Sequence, residues 1–144
     1  IFSVLQANSR ITTAQAVEDG DFFWQDLFTK YIAAASDFYQ RLFDYEVYTS
    51  EISDNLSRTM LSAAGFARAG IAPFPETAKK PGWLPYVLVA DVADTVKKAV
   101  ANGGKTIVAP QKKLLNGNLA VIADPQGAVI GLINWVPEQQ GAQP

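Results

Sequence analysis

Cysteine and histidine are both missing from this chain of 144 residues. The first absence excludes disulfides, thiolate nucleophiles and thiolate metal sites, and it leaves the redox compartment open. The second removes the commonest transition-metal ligand and the commonest general base near neutral pH. No apolar run approaches the roughly 20 residues that a membrane-spanning helix needs. A basic stripe is lacking as well: 12 Lys and Arg are dispersed among 14 Asp and Glu, for a net charge of −2. Neither nucleic acid nor a membrane surface is therefore expected as a partner. What the chain does have is apolar residues, 49% of the total, enough to close one sizeable core.

The ends read differently from the middle. The chain starts at Ile1, and Ala14-Gln15-Ala16 resembles the small-residue site that closes a secretory leader. The apolar run Ile1 to Leu5 is too short for a leader core, so a cytoplasmic location is expected over export. Residues 1–20 are expected to form an N-terminal arm, and residues 137–144, polar and punctuated by Pro and Gly, a flexible tail. Residues 21–136 form the expected domain.

Within it the hydrophobic period switches in a regular way. Residues 22–28, FFWQDLF, suit an aromatic-rich strand. Tyr31 to Phe43 spaces Ile32, Ala35, Phe38, Tyr39 and Leu42 by three and four, which predicts an amphipathic helix burying that stripe on a sheet. Strands are expected at Glu46 to Ile52, Leu56 to Ala63 and Phe66 to Ala72, with turns at Asp54-Asn55 and Gly65. After a connector the order starts again: strand Leu84 to Ala90, then a helix with Val92, Val96, Ala99 and Val100 inward and Gly103-Gly104 as its stop. Strands at Lys105 to Ala109, Asn118 to Ala123 and Ala128 to Trp135 complete this half. Asn116-Gly117 supplies the positive-φ residues of a turn between two of them.

Each half is thus strand, helix and three strands, repeated at an offset of about sixty residues. Neither half closes a core alone. The expected fold is α+β: two paired βαβββ modules, 21–75 and 82–136, whose curved mixed sheets surround a cleft while the helices cover the outside.

The segments that carry this pattern also resemble a known family. DLFTKYIAAASDFYQRLFDYEV (Asp26 to Val47), LPYVLVADVADTVKKAVANGGK (Leu84 to Lys105) and ADPQGAVIGLINW (Ala123 to Trp135) are similar to the vicinal oxygen chelate superfamily. That superfamily groups glyoxalase, bleomycin-resistance proteins and extradiol dioxygenases, all built from paired βαβββ modules. Asp44 stands where the family's first segment usually has Gly.

The resemblance implies a divalent metal held by His and Glu side chains from the first and last strand of each module. Aligned on it, three ligand positions fall on Trp24, Pro85 and Gly131, and the fourth falls near Arg68. None of these can ligate as the family's His and Glu do, and only Asp26 offers a carboxylate nearby. The expectation is a member that lacks the metal ligands, with no metal and no cofactor.

Strand alternation then gives the expected cleft. Trp24, Asp26 and Phe28 share a face; Pro85, Val87 and Val89 share another; Gly131, Ile133 and Trp135 a third, with Arg68 from the fourth strand. The candidate ligand-binding residues are Trp24, Asp26, Phe28, Arg68, Val87, Gly131, Ile133 and Trp135, and no catalytic residue is assigned. Two readings stay open at several of them. The large aromatics either contact a ligand or fill the core. Asp26 and Arg68 either contact a ligand or form an ion pair. Gly131 either leaves room where relatives project a carboxylate or permits strand coiling.

Three functions follow: a metal-independent protein that binds an apolar or aromatic small molecule; an enzyme without metal, with Asp26 as base and Arg68 stabilising an oxyanion; or a degenerate domain that serves association. A cleft packed shut by Trp24 and Trp135 favours the last. A homodimer is a further expectation. The acidic pairs Glu51 with Asp54 and Glu18 with Asp19 and Asp21 read as solvated surface.

Overall fold

The computed structural model describes residues 17–54, 56–73 and 80–137. The expected arm up to residue 16, the tail from residue 138, Asn55 of the first turn and most of the connector lie outside the described residues.

Aromatic and β-branched residues form β1 (Phe22–Thr29), followed by α1 (Ile32–Phe43), β2 (Glu46–Ser53), β3 (Leu56–Ala63) and β4 (Phe66–Pro73). The second half repeats the order with β5 (Gly82–Leu88), α2 (Val92–Ala101), β6 (Lys105–Val108), β7 (Leu119–Ala123) and β8 (Val129–Ile133). The alternation of apolar periods predicts these elements to within two residues at most ends. Asp91 caps α2 by accepting a hydrogen bond from the Asp94 amide at 2.8 Å. Gly103 ends the same helix in the left-handed region, at φ 88°, and Gly104 follows where a Cβ would meet the carbonyl oxygens of Ala99 and Ala123 at under 3 Å.

All eight strands join one mixed sheet in the order β2-β3-β4-β1-β5-β8-β7-β6. Each half has a parallel pair, β1 with β4 and β5 with β8, and the halves meet through the antiparallel pair β1 with β5. The register places Asp26 beside Gly70 in the first half and Tyr86 beside Gly131 in the second. These are equivalent positions of the repeat. Ile52 of β2 and Leu115 of the loop before β7, one from each half, line the same hollow, so the sheet curves around its centre.

Three apolar clusters follow from this arrangement. Leu27, Leu61, Ala69 and Ile71 pack beneath α1, and Val92, Ala120, Ile122 and Leu132 beneath α2. On the concave side Trp24, Met60, Tyr86, Leu119 and Ile133 are buried together.

The helix of the first half departs from its expected packing. Ile32, Ala35 and Tyr39 reach the sheet, but Phe38 and Leu42 stay 58% and 56% exposed, and α1 buries no residue fully. The apolar positions of α1 span more of its circumference than one sheet contact covers. Periodicity alone merges the two stripes into one.

Candidate functional site

The concave cluster centres on one charged pair. Arg58 of β3 donates from Nε to Asp26 Oδ2 at 3.3 Å, with only 10% and 4% of the two side chains exposed. The second carboxylate oxygen accepts from Trp24 Nε1 at 3.1 Å, and Arg58 Nη1 also donates to the Ser57 carbonyl at 3.0 Å. Taking both ions out of water costs several kcal/mol each, so each needs this pairing to be tolerated. Gly70 makes room for it. A Cβ at Gly70 would overlap Asp26 Oδ1 and press on Trp24 Cζ2.

The equivalent place in the second half is filled by an uncharged group. Tyr86 is 1% exposed, and its ring lies over Gly131, where a Cβ would overlap ring atoms. Gly131 is therefore a close-approach glycine. Burial, and next the Asp26 carboxylate, push the Tyr86 phenol well above the ordinary tyrosine range.

Ile133 and Trp135 continue the face of Gly131. The Trp135 ring meets Trp24 edge-on, with centroids 5.4 Å apart and planes at 84°. Ile52, Leu56 and Leu115 close the cleft from the rim, leaving a residual hollow of about 10 Å³. At the mouth lies a second, open hollow of about 550 Å³ between Ser53 and Asp54 on one side and Lys112, Lys113 and Asn116 on the other. The rim loop holds Leu115, Asn116 and Gly117 at φ of 50°, 54° and 87°. Asn116 and Gly117 have the conformation their sequence predicts, whereas Leu115 is a bulky residue in a region that favours glycine.

Of the candidate residues, Trp24, Asp26, Gly131, Ile133 and Trp135 come together on the concave side. Phe28, on the same face of β1 by alternation, is half-buried and outside the concave cluster. Two placements are corrected. Arg68 lies on the opposite side, in a groove with Tyr39 and Trp83. The β3–β4 ladder pairs Leu61 with Ala69 and Ser62 with Ala67, so Arg68 is the extra residue of a bulge that re-aims its side chain. Val87 also faces away from the cleft, because Leu84 and Tyr86 are the inward residues of β5 and Val89 packs under α2. The run LPYVLVA has no polar residue to set its parity, and a slip of one reverses every side chain.

Sequence reasoning missed Arg58 and Tyr86. Alternation through Leu56, Arg58 and Met60 in β3 carries the first signal, and the repeat, which sets Tyr86 at the position of Asp26, carries the second. With Arg68 elsewhere and both oxygens of Asp26 engaged, the expected acid–base couple of Asp26 and Arg68 is not assembled.

The floor of the cleft does not fit a divalent metal. Such an ion needs three or more converging protein ligands, whereas the four central positions hold one engaged carboxylate, two glycines and a buried phenol. Among the described residues, no three of the ligating types Asp, Glu, His and Cys converge anywhere.

No protein-family profile matches the chain. Over 134 residues, 93% of its length, the chain is 30% identical to the curated Mycobacterium bovis protein named "Putative glyoxylase CFP32", and a Mycobacterium tuberculosis protein of that name matches equally. The chain spans about half the length, 51%, of these curated relatives. Among solved structures, methylmalonyl-CoA epimerase of Mycobacterium tuberculosis superposes with a TM-score of 0.57 at 18% identity, covering 88% of this chain and 95% of that one. A variant of the Streptomyces coelicolor methylmalonyl-CoA epimerase, in complex with 2-nitronate-propionyl-CoA, gives 0.56 at 14% identity, covering 86% and 100%. These likenesses establish the fold.

Two outcomes test the geometry of the floor. Gly131→Ala is expected to cost about 1–3 kcal/mol by overpacking, and less in a Tyr86→Leu background, measured by urea denaturation; an equal cost in both backgrounds contradicts the contact. The second outcome concerns pH. An unfolded chain releases the Tyr86 proton near pH 10 while the folded chain keeps it, so this contribution is complete below that pH and is lost above it. Above about pH 10 the native chain is expected to lose stability more steeply than Tyr86→Phe, by about 1.4 kcal/mol per pH unit. Parallel profiles of the two proteins contradict the assignment.

Proposed function

Because the chain belongs to the vicinal oxygen chelate, or glyoxalase-like, superfamily, we propose that it is a metal-independent member that binds a small molecule in the cleft between its modules. The observation that carries this reading is the Asp26–Arg58 pair set among Trp24, Trp135 and aliphatic side chains. A mostly apolar lining with a few fixed polar groups is the ordinary composition of a small-molecule site. The ligand class is an apolar or aromatic body, and Lys112 and Lys113 at the mouth favour one that also carries an anionic group.

Ligand pockets usually measure about 300–1,000 Å³, and the closed cleft holds about 10 Å³. Entry therefore requires Leu115 and Ile52 to withdraw. The left-handed backbone at Leu115 is held against its preference by packing on the cleft, so relief of that strain offsets part of the opening cost. The filled cleft is also the one observation that favours a second reading, in which the modules serve association and bind nothing between them.

The test is thermal unfolding in excess EDTA with a planar aromatic carboxylate and its neutral amide. The proposal expects a rise in melting temperature for the carboxylate, equivalent to about 2.7 kcal/mol at a hundredfold excess over the dissociation constant. It expects that rise to vanish in Trp135→Ala and to diminish in a Lys112→Ala, Lys113→Ala double variant. Stabilisation that appears only with added divalent metal contradicts the proposal. No shift with either compound supports the association reading instead.

A further inference from the structure

Arg58 has hydrogen-bonding capacity that the fold does not use. A guanidinium carries five N–H groups in a fixed fork and does not shed its proton. Here Nε donates to Asp26 Oδ2 at 3.3 Å and Nη1 to the Ser57 carbonyl at 3.0 Å, and the Tyr86 phenol interacts with the same charged pair. Among the described residues no acceptor bonds Nη2. The Arg58 side chain is only 10% exposed. No side-chain polar atom sealed from solvent lacks a partner among the described residues, so Nη2, which has none, borders open space. A charged donor in so sheltered a place gains more from an acceptor than one at the surface does.

The space that Arg58 borders is the residual hollow of the cleft. It measures about 10 Å³ and lies against Arg58 and Asp26, among Trp24, Ile133 and Trp135. That is about the room of one water-sized atom. Two features fix the chemistry of an atom that fits there. It has to accept, because Arg58 only donates and both Asp26 oxygens already accept, from Trp24 and from Arg58. It also has to be uncharged, because Asp26 offsets the charge of Arg58 and stands beside any second carboxylate as a like charge. A hydroxyl meets the first demand but brings a proton that finds no spare acceptor. A carbonyl oxygen meets both.

We propose that the cleft ligand carries a neutral carbonyl oxygen at its inner end and that Arg58 receives it, donating from Nη2. This rests on the reading of the cleft as a small-molecule site, and it names the group that orients the molecule inside. The anionic group that Lys112 and Lys113 favour then lies at the outer end, beyond the rim residues Ile52 and Leu115. The ligand class narrows to an aromatic ketone or aldehyde with an acid on the opposite side of the ring.

Calorimetric titration of the full 144-residue chain in excess EDTA tests this with 4-acetylbenzoate, 4-isopropylbenzoate and terephthalate. The second compound keeps the shape of the first without the acceptor, and the third replaces the acceptor by a charge. The native chain is expected to bind 4-acetylbenzoate about tenfold or more tighter than either of the others, as a site built around a sheltered donor rejects analogues that leave it unpaired. The infrared carbonyl band of the bound ketone is expected below its position in a hydrocarbon solvent. In the Asp26→Asn, Arg58→Met double variant the preference over 4-isopropylbenzoate disappears and the band returns to its hydrocarbon position. The comparison of compounds in the native chain stands without that variant. Equal affinity of the native chain for the ketone and either analogue, or a preference that persists in the double variant, overturns the role of Arg58 and leaves the cleft a binding site. Binding of none of the compounds overturns both readings.

Discussion

A carboxylate buried at the centre of the sheet sets the terms for everything around it. Asp26 is tolerated there only because Arg58 and Trp24 engage its two oxygens, and that arrangement fits only because Gly70 has no side chain. Removing one partner of such a pair costs more than the pair contributes, since the other charge is left without compensation. The pair therefore constrains three strands at once: β1 through Asp26, β3 through Arg58 and β4 through the glycine.

The repeat shows the same solution in two chemistries. In each half, a side chain from the first strand lies over a glycine of the last: Asp26 over Gly70, Tyr86 over Gly131. The superfamily resemblance implies metal ligands on these same four strands. At the floor of the cleft Gly70 and Gly131 have no side chain, the Tyr86 phenol is held neutral by burial, and the Asp26 carboxylate is paired with the Arg58 guanidinium. What lines the cleft is aromatic and aliphatic surface around one fixed ion pair.

Much of this is legible in the sequence. The switch from period two to period 3.6 and back, twice over, located nearly every strand and both helices, and Gly103-Gly104 marked the end of α2. Alternation sets Trp24 with Asp26 and Ile133 with Trp135, and the superfamily resemblance turns both pairs toward the cleft. The failures have physical causes. A bulge is one extra residue that no hydrophobic pattern announces, and it carried Arg68 to the other side of the sheet. The run from Leu84 to Ala90 is apolar on both faces, so its parity was free. Phe38 and Leu42 matched the helical period as well as Ile32 and Tyr39 did, and only packing separates the stripe that meets the sheet from the one that faces outward.

The most direct test of the account is a double-mutant cycle on the central pair, using Asp26→Asn and Arg58→Met and stability measured by urea denaturation at neutral pH. If the pair is the constraint described, each single change costs about 3–5 kcal/mol by stranding a charge, while the double change costs far less than their sum. Two small losses that simply add would contradict it, and the centre of the sheet would have to be explained by apolar packing alone.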